Sequence, residues 1–258
     1  MKLKCVLLIA LFAICSIQVL AQYNPTIRSG RPGQSIGPFT VGQSVFQVQS
    51  GVDFNNIDDS NGTEVNTVLS NTVLRYGFAE RWEVSGVMNW QNDDISSNSQ
   101  DFSQSGISNT QLGFRYLLVQ GNGSKPSIGI QYRMLLKAQA EPYKRQSLGS
   151  NITLATSSSL FGVLGLITNW GATWDGNDGP VTGSYAINIG FDIAGNLSGF
   201  IENYGSLRDG DLASHFDFGL AYLISNDFQL DLYSGWQGRE DVKDFFVSFG
   251  VSWRVHKR

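Results

Sequence analysis

The stretch WEVSGVMNW, residues 82–90, decides the fold. Trp82, Val84, Gly86, Met88 and Trp90 are apolar or small, and Glu83, Ser85 and Asn89 between them are polar. A period of two with unlike faces predicts a β-strand. Trp82 and Trp90 stand roughly 26 Å apart at about 3.3 Å per residue. With a tilt of about 40°, the strand rises roughly 20 Å, close to the apolar band of about 25 Å that aromatic girdles flank in a transmembrane barrel. The two tryptophans are therefore expected at the two membrane interfaces, with the apolar face outward.

The alternation recurs along the chain. Leu112, Phe114, Tyr116 and Leu118 alternate with Gln111, Gly113 and Arg115. Ile128, Ile130, Tyr132, Met134 and Leu136 alternate with polar residues and Arg133, and end beside Lys137. The same pattern covers 185–193, 216–222, 228–236 (with Trp236) and 245–255 (with Trp253). The apolar faces carry no charge, whereas the opposite faces carry Glu83, Arg115, Arg133, Lys137, Asp192, Asp217, Asp231 and Arg254. That exclusion matches lipid, where a charge near the midplane costs up to about 2–4 kcal/mol. Weaker strands are expected at 39–54, 64–78, 148–157, 160–172 and 197–205, which brings the total to twelve; 160–172 is apolar on both faces and leaves its direction open. Tight turns are expected at Phe78–Arg81, Gln120–Lys125, Thr156–Ser159, Ala194–Asn196 and Ser225–Asp227. Longer loops are expected at Asn55–Thr63, Gln91–Gly106, Ala138–Ser147, Thr173–Gly183, Ser206–Ser214 and Gln237–Lys243. Short turns alternating with long loops mark an outer-membrane barrel, and an even strand number places both termini in the periplasm.

The chain opens MKLKCVLLIALFAICSIQVLAQ, a basic start, an apolar run and a small-residue cleavage site before Gln22. This predicts a cleaved signal peptide over 1–21 and export to the outer membrane of a Gram-negative cell. Cys5 and Cys15 both lie in that segment, so no disulfide or thiolate metal site is expected in the mature chain. The mature balance of 16 basic against 22 acidic residues offers no patch for nucleic acid. No apolar run beyond the signal is long enough to cross a bilayer as a helix. Residues 22–38 have no strand pattern of their own and read as a periplasmic or plug segment before the barrel at 39–258. Arg28 and Arg31, beside Pro32, are the plug candidates, with Glu202 or Asp231 as expected partners.

Chemistry is sparse. A serine hydrolase on a barrel wall needs Ser and His side chains on one reacting group. Ser214 and His215 are adjacent on a strand and point to opposite faces, so no catalytic residue is expected, although Asp217 shares the face of His215. The acidic loop DFNNIDDSNGTE (Asp53, Asp58, Asp59, Glu64) fits no EF-hand spacing and reads as a solvated turn, as do Asp93 with Asp94 and Asp175 with Asp178. No metal or cofactor is expected, and no glycine-rich phosphate loop is present. Inside the barrel, Arg75, Glu83 and Arg115 are expected to cluster near the periplasmic end, with Arg133, Glu202, Asp217 and Asp231 as further lumen residues. Such charges either fill and register a narrow barrel or tune the selectivity of a pore. Trp82, Trp90, Tyr116, Tyr132, Trp236 and Trp253 are the expected interface aromatics.

The segment TIRSGRPGQSIGPFTVGQSVFQVQSGVDF resembles the start of the barrel family named for the meta-pathway of phenol degradation. Arg31, Pro32, Gln34 and Ser35 match its Arg-Pro motif, and Phe46, Gln47 and Gly51 match its first strand. The resemblance continues in LRYGFAERWEVSG, LGFRYLL, FIENYG and DFFVSFGVSWR. Two positions depart: Gly33 stands where the family commonly has Asp, and His256-Lys257-Arg258 trail a strand that usually ends on an aromatic residue. The resemblance implies a transporter-like outer-membrane β-barrel of small, aromatic or apolar solutes, inserted into outer-membrane lipid by the barrel-assembly machinery. The expected function is passive passage of a small-molecule substrate. The alternative is a closed barrel whose loops bind partners.

Overall fold

The computed structural model describes residues 24–60, 62–97, 100–237 and 242–256. The expected signal peptide and Lys257–Arg258 lie outside them. Twelve antiparallel strands close into one barrel, each paired with its sequence neighbours, and the last pairs with the first. They are β1 (Val45–Asp59), β2 (Glu64–Ala79), β3 (Trp82–Ser96), β4 (Asp101–Val119), β5 (Ser127–Leu135), β6 (Gly149–Leu160), β7 (Leu164–Trp174), β8 (Thr182–Ala194), β9 (Leu197–Arg208), β10 (Asp211–Ser225), β11 (Phe228–Gln237) and β12 (Val242–His256). Closure leaves no strand edge, so every wall strand is paired on both sides, as a lipid environment demands.

The wall is apolar outside and polar inside. Trp82 and Trp90 are 44% and 45% exposed on the outer surface, and Glu83 beside Trp82 is 1% exposed on the inner one. Tyr132, Trp236 and Trp253 also stand exposed on the outside. Tyr116 is half-buried because its ring packs 4.3 Å from that of Trp82. The inner face holds Gln47, Gln49, Arg75, Arg115, Gln131, Asn169, Asn188, Glu202, Asp217, Asp231 and Arg254, all buried. Strand β7, ambiguous by pattern, turns Asn169 inward and Trp170 outward.

Several boundaries differ from the sequence expectation. The first strand runs 45–59 rather than 39–54, because Phe39 to Ser44 belong to an inner segment. The expected loops Asn55–Thr63 and Gln91–Gly106 are mostly strand, since β1, β3 and β4 continue pairing past the apolar band. There both faces are polar, so the period-two signal vanishes while the backbone ladder persists. Ser206–Ser214 reduces to a turn at Asp209 and Gly210, both with positive φ. The turn expected at Thr156–Ser159 falls instead at Phe161–Gly162, again at positive φ, because the Ser/Thr run pairs with β7. Lys137 lies beyond the end of β5 and is exposed, so it is not an inward charge. The long connection after β5 folds back on β4 through a 3-10 turn, Glu141–Tyr143. There the Ala140 N–H donates to the Ile107 carbonyl at 2.9 Å.

Candidate channel lumen

Residues 24–44 run inside the barrel without joining its sheet. The strap enters at the end of the barrel that holds both termini, where Ile27 N–H donates to the Asn226 carbonyl and Arg254 donates to the carbonyls of Asn24 and Pro25. Ser29 shares a 2.6 Å hydrogen bond with Ser252 on β12. Arg31 then reaches Asp231 on β11 at 3.1 Å and donates to Ser248 on β12. Next, the N–H groups of Gln34 and Ser35 donate to the two Glu202 oxygens at 2.6 and 3.0 Å. Asn169 brackets Ile36 by accepting from its N–H and donating to its carbonyl. The Phe39 carbonyl accepts from Arg75 and Arg115, and Val41 N–H donates to Glu83.

Wall glycines make room for this path. A Cβ at Gly51 or Gly250, which face each other on β1 and β12, would fall on the Arg31 guanidinium. One at Gly77 would fall on the Gly42 carbonyl, and one at Gly129 on that of Pro38. Gly33 takes φ +92° in the strap, and a Cβ there would press on Phe200 and Glu202. An Asp at this position would meet both steric strain and a carboxylate, which accounts for glycine here.

Arg75 and Glu83 form a bidentate pair, each contact 2.8 Å, with both side chains buried. Arg115 stands opposite Glu83 across the β3–β4 pair, but its donors go to Gln131 and to Phe39 of the strap. Arg133 donates to Gln111 at 3.0 Å. Glu202 also accepts from Asn188 and sits across β9–β10 from Asp217. Asp217 is 2% exposed, and its carboxyl lies against that of Glu202. Of the plug candidates, Arg31 meets Asp231. Arg28 packs over the Phe39 ring at 3.6 Å, and its carbonyl accepts from Gln47 and Arg75. Pro32 follows Arg31 through a cis bond. Sequence reasoning missed the roles of Phe39, Gln131, Asn169, Ser248 and the wall glycines. Only the inward spacing of Gln47, Gln49 and Gly51 could have hinted at a wall built to receive a chain.

The expected separation of Ser214 from His215 holds. Ser214 faces outward, bonded to Tyr185 and Asn203. His215 faces the lumen, stacked on Tyr204 and 3.5 Å from Asp244, the partner it takes in place of Asp217. In the connection after β5, Tyr143 donates to Asp93 at 2.9 Å, and burial together with that carboxylate pushes its hydroxyl up to about 12. Among the described residues, cavities remain around the strap. One of about 430 Å³ is lined by Ser35, Gly37, Val163 and Asp192 toward the terminal end. Another of about 530 Å³ is lined by Gln34, Ile36, Arg145 and Asp175 toward the opposite mouth. A third, about 240 Å³, lies between the strap and Arg75, Arg115 and Arg133.

An apolar belt outside, a polar lumen inside and a closed ladder define a transmembrane β-barrel of the outer-membrane type. The chain belongs to the family described as "Putative MetA-pathway of phenol degradation", whose profile matches residues 29–255. No curated protein matches the sequence. Among solved structures, it is similar to the COG4313 outer membrane channel from Pseudomonas putida F1, with a TM-score of 0.69 at 12% identity over 88% of this chain and 100% of that one. It is also similar to the KdgM porin, with a TM-score of 0.55 at 10% identity over 80% and 99% of the two chains. The translocator domain of autotransporter NalP from Neisseria meningitidis gives 0.52 at 11% identity over 83% and 89%. A channel, a porin and a translocator share this architecture, so the likeness speaks to fold and not to cargo.

Proposed function

We propose that this barrel is a passive channel for small molecules in the outer membrane, with the strap as its displaceable gate. The observation that carries this reading is how the strap is held. It is no strand of the wall, and it sits between cavities of about 430 and 530 Å³ on polar contacts that water can replace. Alternate strap residues face opposite mouths, with Ser35 and Gly37 lining one cavity and Gln34 and Ile36 the other. Apolar side chains such as Ile27, Ile167 and Phe191 in the first cavity and Ile36 and Leu135 in the second stand among amides, hydroxyls and charges, a mixed lining that suits small polar and apolar solutes alike. The dense contacts of the strap also support a second reading, a permanently closed barrel whose loops bind partners.

Single-channel conductance in planar bilayers separates the two. The refolded chain from Gln22 is compared with one lacking residues 22–38. The channel reading expects intermittent current in the former and steady, larger current in the latter. Silence in both leaves the closed barrel.

A further inference from the structure

The lumen wall carries opposite charge on opposite sides. Arg75, Arg115 and Arg133 stand on the inner faces of β2, β4 and β5, with Glu83 clamped by Arg75. Glu202, Asp217 and Asp231 stand on β9, β10 and β11. In a ring of twelve strands, β4 and β10 are diametrically opposed. The inner faces of β6 to β8 between them carry amides and hydroxyls such as Asn151, Thr153, Asn169 and Asn188, and their one charge, Asp192, is exposed near the turn after β8. The three arginines and the three carboxylates therefore face one another across the lumen, while Asp53 on β1, Asp93 on β3 and Asp244 with Arg254 on β12 add charge along the rest of the wall. In a partly desolvated bore, such an arrangement exerts a transverse field on anything that enters.

The strap shows what this field receives. It presents donors to the acidic arc, namely the Arg31 guanidinium and the N–H groups of Gln34 and Ser35. To the basic arc it presents acceptors, the carbonyls of Arg28 and Phe39. It behaves as a built-in dipolar ligand. It also leaves capacity on both sides, because Arg133 Nε and Asp231 Oδ2 are buried without a hydrogen-bond partner among the described residues, and the Asp217 carboxyl lies against that of Glu202.

Resting on the channel reading, we propose that the lumen selects small zwitterions. Their ammonium or amide N–H groups turn to β9–β11 and their carboxylate to β4–β5, replacing the contacts of the strap. A solute with one charge meets one arc favourably and the other unfavourably, and an uncharged polyol gains from neither.

Osmotic swelling of liposomes holding the full mature chain tests this, with glycylglycine as the zwitterion and erythritol as an uncharged solute of similar size. Glycylglycine is expected to enter at least about tenfold faster, the lower end of what one additional charged hydrogen bond is worth. In a chain carrying Arg133→Gln with Asp217→Asn, that ratio is expected to fall below about twofold. Arg133→Gln alone serves if the double variant does not give the folded, heat-modifiable form, and it is expected to lower the ratio in the same direction. Equal entry of both solutes, or a ratio unchanged in the variant, overturns the dipolar selectivity while leaving the channel. Entry of neither solute overturns both.

Discussion

Arg31 is the residue on which the lumen turns. Its guanidinium lies over the Gly51–Gly250 pair, bonds Asp231 and Ser248, and sits 5.3 Å from the Tyr233 ring centroid. Removing it leaves Asp231 buried beside no cation, a penalty of about 3–5 kcal/mol for a broken buried pair. Water entering the lumen relieves that penalty, so the strap gives way before the wall does. Arg31→Ala is expected to raise the fraction of time the pore conducts in planar bilayers, with folding of the barrel unchanged in heat-modifiability gels. Conductance like that of the unaltered chain would mean that Arg31 does not hold the gate. Gly51→Val acts by sterics instead, since its Cβ would occupy the guanidinium position. It is expected to open the pore to a similar degree in the same recording.

At the scale of elements, the strands derive their stability from closure and from the apolar outer face. Leu112 stands midway along β4 between Gly86 and Met134 of its neighbours and is 46% exposed on the outside. Leu112→Arg is expected to cost about 2–4 kcal/mol in reversible unfolding from lipid vesicles. A change within about 0.5 kcal/mol would show that this face does not meet lipid. Tyr143 is one of several residues that tie the connection after β5 to the barrel. Tyr143 stays protonated at every ordinary pH, given a hydroxyl pushed up to about 12, and so remains a donor to Asp93. Tyr143→Phe forfeits a hydrogen bond worth about 1 kcal/mol. Trypsin is then expected to cut at Lys144 and Arg145 several times faster, with the barrel itself intact. An unchanged cleavage rate would place the hold on this connection elsewhere, in the Arg145–Asn109 contact.

At the scale of the whole molecule, all six tryptophans point outward: Trp82, Trp90, Trp170, Trp174, Trp236 and Trp253 are 44–56% exposed, and the lumen contains none. Their fluorescence in vesicles is expected to be quenched strongly by brominated acyl chains and weakly by iodide in the water. The reverse ranking would place the tryptophan face in water and contradict a membrane-spanning wall. The same inside-out arrangement explains how much of this fold was legible in the sequence. Alternation is a local property, because neighbouring side chains on a strand must take opposite faces and lipid excludes charge from one of them. WEVSGVMNW therefore carries its own orientation, and an even total of twelve, seven such segments and five weaker ones, implies closure. Strand ends were illegible where β1, β3 and β4 leave the apolar band, since water on both faces erases the contrast while the ladder continues.

Local pattern was enough for a membrane barrel of twelve strands, for the lipid face of all but β7, and for the inward charges other than Lys137, which lies past the end of β5. What those charges meet is set by the closed ring. Arg31 and Asp231 are 200 residues apart, and Gln34 and Glu202 are 168 apart. The Gly51–Gly250 notch exists only because β12 closes on β1. Pairings of that range leave no periodic trace in the chain. They depend on the register and circumference of the closed ring, which bring together residues that no local pattern relates.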